Sequence, residues 1–117
     1  MSLDVYLDDE YRFRFDNNAV YWFLYPWFEQ IYKSIGKYVD LHGDANFHKS
    51  NGLLLLIQKM GEAKISAENQ PQELRVVIGI DVYERIHRGA LLEAITKFQS
   101  LLEEAKMTGK TLDFVGD

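Results

Sequence analysis

The residues best suited to chemistry are Asp40, His42, Asp44 and His48, carboxylates and imidazoles gathered in one short stretch. If residues 40–44 are extended, alternate side chains share a face, and Asp40, His42 and Asp44 project together. Joined by His48, they form a donor set for a divalent transition metal, and so for a metal-binding protein or metal-dependent enzyme. The competing reading is that aspartate and histidine populate loops because aspartate turns and caps well and both stay hydrated.

Tighter motifs fail on the same stretch. As a calcium loop starting at Asp40, it has Ala45 where the sharp turn needs glycine and Asn51 where a bidentate glutamate belongs. Asp40-Leu41-His42 resembles the start of a metallophosphoesterase, but the later aspartate and Asn-His ligands are missing. His42-Gly43-Asp44 resembles the catalytic loop of aminoglycoside-type phosphotransferases. The metal-binding asparagine is then out of register, and the chain is too short for two lobes. Nucleophilic catalysis has no better footing. There is no cysteine and no Gly-X-Ser-X-Gly elbow, and Ser34, Ser50, Ser66 and Ser100 have no activating neighbours. The glycines are scattered rather than gathered into a phosphate loop. His87 reads as an exposed or capping residue. No catalytic residue and no cofactor is expected.

The stretch 39–52 itself reads as a long polar loop, with a short extended piece at 38–41. The run before it organises the chain. From Ala19 to Phe28 no side chain is charged, and both tryptophans fall within it. Asp16, Asn17 and Asn18 offer caps for a helix there. Pro26 is expected to bend that helix or to start a second one. Phe28, Ile31, Tyr32 and Ile35 continue at helical spacing to a stop at Gly36. At ~100° per residue the first part of this helix is apolar all round, which is hard to enclose in a small domain. Tyrosine and tryptophan are enriched at protein interfaces, having an apolar body and a polar tip. Tyr21, Trp22, Tyr25 and Trp27 are therefore the candidate interface, facing a second copy of the chain or another protein partner.

Around this helix the alternation of Leu3, Val5 and Leu7, then of Tyr11, Phe13 and Phe15, predicts an N-terminal hairpin with a three-residue loop at Asp8-Asp9-Glu10. That register sets Asp4 opposite Arg14. A second helix, capped by Ser50 or Asn51, carries Leu53, Leu56, Ile57 and Met60. Leu74, Val76, Ile78 and Ile80 form a strand, and Val77 on its other face suggests a central position. Residues 83–89 form a connector. Leu91, Ile95, Phe98, Leu102 and Ala105 mark the clearest amphipathic helix, and residues 112–115 a last strand, which a crossover could set parallel to the strand at 74–80. The expected fold is a single α+β domain over residues 1–117: the hairpin and about two further strands in one sheet, with about three helices packed on it.

Composition narrows the function. With 47% hydrophobic and 26% charged residues the chain is an ordinary globular one. A net charge of −5 disfavours nucleic acid and anionic membrane surfaces. The longest apolar run is far short of the roughly 20 residues of a membrane helix. The first residues lack the basic start and apolar core of a signal peptide, and disulfides are excluded, so the expected location is the cytoplasm. The expected function is protein binding, most simply as a homodimer. An acidic inhibitor that covers a basic protein, as toxin-neutralising immunity proteins do, is the heterologous version. That likeness is one of size and charge and rests on no motif.

Overall fold

In the computed structural model, which describes residues 2–116, β1 (Leu3–Leu7) and β2 (Glu10–Phe15) form the antiparallel hairpin that their alternation requires. Leu3 faces Phe15, Val5 faces Phe13, and Asp4 faces Arg14, whose Nε donates to the Asp4 carboxylate at 2.7 Å. The turn is tighter than expected. Leu7 pairs with Glu10, leaving Asp8 and Asp9 as the loop, and Arg12 is squeezed out of the ladder as a bulge. Asp8 permits this by adopting φ 51°, a left-handed conformation that aspartate tolerates better than most residues. The bulged Arg12 reaches across to Glu104 and donates to both carboxylate oxygens at 2.6 Å.

The uncharged run forms α1 (Asn18–Ile35), opened by the Asn17 side chain, which accepts from the Ala19 N–H, and closed by Gly36 in the left-handed region. The helix runs through Pro26 without a second start; Pro26 is exposed, so water can satisfy the carbonyl it frees. β3 (Asp44–Phe47) lies where a loop is expected, whereas residues 38–41 form no strand. Asp-Ala-Asn-Phe has no β-branched residue; its strand exists because its backbone finds a partner.

α2 (Leu53–Glu68) is preceded not by a polar cap at Ser50 or Asn51 but by Gly52 at φ 91°. A Cβ there would meet Ile35 Cδ1 and Phe47 Cδ2 at 2.9 Å, so the position needs glycine twice over. β4 (Glu73–Gly79) and β5 (Val82–His87) form a second hairpin around Ile80-Asp81. This corrects two expectations: residues 83–89 are mostly strand rather than connector, and β4 is not central, since Val77 is 70% exposed. α3 (Arg88–Thr108) is capped by His87, whose ring accepts from the Gly89 N–H, and β6 (Leu112–Gly116) follows.

The main sheet has the order β2-β1-β6-β3 and is antiparallel throughout; β4 and β5 form a separate sheet. The α+β class is as expected, with three helices and with two strands joining the N-terminal hairpin in the main sheet; the separate β4–β5 sheet was not expected. The added strands are β6 and β3, not β6 and β4, and no crossover sets β4 parallel to β6. Inward side chains of the sheet meet the helices in a ring cluster. Phe98 of α3 lies 5.7 Å from Phe13, 5.0 Å from Phe15 and 5.9 Å from Phe114, joining α3 to both β2 and β6. Truncating this fully buried ring removes its burial and opens a cavity. Phe98→Ala is expected to lower unfolding free energy by about 3–5 kcal/mol, measured by urea denaturation.

Candidate interaction site

The helical repeat sorts the aromatic residues of α1 onto two flanks. Trp22, Tyr25 and Tyr32 share one, and Phe23 and Trp27 share the other. On the first flank the rings form a ladder. Trp22 and Tyr25 have centroids 5.1 Å apart, Tyr25 and Tyr38 are 6.2 Å apart, and Tyr38 and Tyr32 are 5.3 Å apart. Tyr38 enters from the segment after α1. Phe23 and Trp27 make a single ring contact at 5.7 Å on the opposite flank. Trp22, Tyr25, Trp27 and Tyr38 are half-buried, and Tyr32 is 51% exposed.

Tyr21 is different. It is 1% exposed and its hydroxyl donates to the Val39 carbonyl at 2.7 Å, pinning the segment after α1 to the helix. Without that donor the buried carbonyl would be left unpaired, a cost of about 1–3 kcal/mol. Three of the four residues expected at an interface thus reach the surface, and Tyr21 belongs to the core. Burial pushes the Tyr21 hydroxyl well above its ordinary pKa. It also pushes Tyr38 up to about 12, and the hydrogen bond its hydroxyl shares with Tyr25 as donor adds to the effect. Both phenols therefore stay neutral at physiological pH. Tyr32 and Tyr38 were not singled out from the sequence. Tyr32 had a signal, since it follows Tyr25 by seven positions, two helical turns on the same flank.

The Asp40–His48 stretch is arranged for backbone support. The chain turns at 41–43 instead of extending, and Asp40 Oδ1 accepts from the His42 N–H at 3.1 Å. Asp44 Oδ1 accepts from the Gly116 N–H at 3.3 Å, and His48 Nδ1 is 2.7 Å from Ser50 Oγ. Among the described residues no three His, Cys, Asp or Glu side chains are grouped to hold a metal ion.

A further surface lies on the outer face of the main sheet, away from the ring cluster. Tyr6, Asp8, Asp9, Asp44 and Asp113 line a shallow depression there. Burial raises the Asp113 pKa, and the negative charges of Asp8 and Asp9 raise it further.

No family model, curated protein or solved structure matches this chain. Among the described residues no helix is long and apolar enough to cross a membrane.

The Asp113 carboxyl, raised above its ordinary value, binds a proton more readily in the folded than in the unfolded chain. Its ionisation therefore lowers stability as pH rises from the ordinary carboxylate pKa through the folded one. Asp113→Asn is expected to be more stable than the wild type at pH 7, and to lose that advantage below about pH 3.9, where the wild-type carboxyl is protonated in both states. Urea unfolding at the two pH values measures the difference.

Proposed function

We propose that this protein is a cytoplasmic protein-binding domain that associates with a second copy of itself through the aromatic flank of α1. The supporting observation is the ladder of Trp22, Tyr25, Tyr38 and Tyr32, a contiguous row of rings that the chain builds but covers only in part. Rings with a buried body and a polar edge at the surface suit an interface, where they bury large areas and still satisfy their hydroxyls. Two-fold pairs are the commonest assemblies, and they put the same patch of each copy in contact. Light scattering behind a sizing column, over a range of concentrations, tests this. A dimer is expected for the wild type. In the double variant Tyr25→Ser, Tyr32→Ser its dissociation constant is expected to rise about tenfold or more, since central aromatic residues carry most of an interface's energy. A wild type that stays monomeric at every concentration rules the reading out.

The outer face of the main sheet favours a second, heterologous reading, in which the acidic domain is laid over a basic protein. Its support is the crowding of Asp8, Asp9, Asp44 and Asp113 around Tyr6. Salt separates the two. Raising ionic strength from about 0.01 M to about 0.15 M shortens the screening length from ~30 Å to ~8 Å. Over that range a complex with a basic protein is expected to weaken, while self-association through rings is expected to hold.

A further inference from the structure

A strand edge left open in a folded protein is a template for another strand, and natural folds blunt such edges with charge, bulges, shortness or cover. Three of the four edge strands here are blunted. β2 has the bulged Arg12 and also Arg14, both held in ion pairs. β3 is four residues long, and its Asn46 carbonyl accepts from Lys37 Nζ at 2.6 Å. β5 carries Glu84, Arg85 and His87 and runs directly into α3.

β4 is treated differently. It is the longest strand and carries no charge from Val76 to Gly79. Among the described residues β5 is its only partner strand, and no backbone hydrogen bond outside that ladder reaches Glu73–Gly79. Its one cation, Arg75, lies over the Tyr83 ring at 4.7 Å, on the face of the hairpin and not along its edge. The bulge at Ile78 sits at the turn end and leaves Glu73–Val77 in regular register with β5. Val77 and Ile80 are 70% and 93% exposed.

We propose that β4 is the seam along which the second copy docks, the two β4 strands running antiparallel so that the hairpins join into one four-stranded sheet. This rests on the self-association reading above and names its contact. A second strand can pair the whole open row of N–H and C=O groups in place of water. A two-fold axis through the seam keeps inner faces on one side, so each residue must pair with one of its own face. Centring the pairing on Val76, the midpoint of the strand, meets that condition on either side of it as far as the bulge at Ile78. Leu74 then faces Ile78 of the second copy, Arg75 faces Val77, and Glu73 faces Gly79, so no like charges meet. Centring on Arg75 would oppose two arginines, which is disfavoured. α1 packs under β4 more extensively than under β5. The seam therefore sets the two α1 helices side by side beneath the joined sheet.

The test is a charge reversal across the seam. Val77→Lys puts an ammonium opposite Arg75 of the second copy, twice per dimer, at a position exposed enough for the hairpin to keep its fold. By light scattering its dimer dissociation constant is expected to rise about tenfold or more, with the circular dichroism of the wild type retained. Adding Arg75→Glu is expected to recover most of the loss, because a carboxylate then faces the new ammonium. Hydrogen exchange of the wild type needs no variant: amides of β4 are expected to slow as concentration rises through the dimer range, while those of β2 and β3 do not. A monomeric wild type overturns the self-association reading and this one together. A wild-type dimer overturns the seam alone if Val77→Lys leaves it intact, if Arg75→Glu fails to restore it, or if β4 exchange does not change.

Discussion

Enclosing α1 is the constraint on which the rest of the architecture depends. Its first ten residues after Asn18 carry no charge, so no side of that segment is naturally given to water. A four-stranded sheet can cover only one side of such a helix. The chain meets the remainder with α2 and with a second hairpin, β4 and β5, all in contact with α1. The two-stranded sheet, too small to be stable alone, exists because it has a helix to lie on. Even so the cover is incomplete. Trp22, Tyr25 and Trp27 pack against the core on one side and meet solvent on the other.

Within this arrangement the polar groups mostly act as fasteners. Tyr21 ties the segment after α1 to the helix, Arg12 ties β2 to α3 through Glu104, and Asp8 and Thr111 exchange hydrogen bonds that tie the first turn to the start of β6. Among the described residues no charged side chain is buried.

The parts of the fold legible in the sequence are those where periodicity and local chemistry agree. The β1–β2 pairing, the Asp4–Arg14 pair, the stop of α1 at Gly36 and the cap at His87 all follow from side chains within about a dozen positions of one another. The misreadings have a common cause, which is that the deciding partner is distant. β3 is a strand only because β6 arrives beside it from the far end of the chain. The start of α2 depends on Gly52 fitting against Ile35 and Phe47, which no local pattern reveals. β4 looked central because Val77 is apolar, yet that face is open. The same limit applied at the site. An uncharged helical run shows that several flanks can be buried but not which, so Tyr21 could not be told from Trp22 or Tyr25. The half-buried ladder depends on Tyr38 folding back between Tyr25 and Tyr32, which no helical spacing encodes.

The position of β6 has a consequence for how the domain comes to exist. Among the described residues β6 is the last strand in chain order, yet it lies between β1 and β3 and is the only strand that either bonds across that gap. Until residues 112–116 leave the ribosome, the first hairpin and β3 cannot share a sheet, and Leu112 and Phe114 are missing from the core. Gly116 closes the assembly, its N–H reaching the Gly43 carbonyl at 2.9 Å where an added Cβ would come within 2.6 Å of two backbone oxygens. A nascent chain thus emerges with its apolar helices made and its sheet unfinished. That is an interval in which a chaperone has hydrophobic surface to hold, and completion of the sheet waits on residues 112–116.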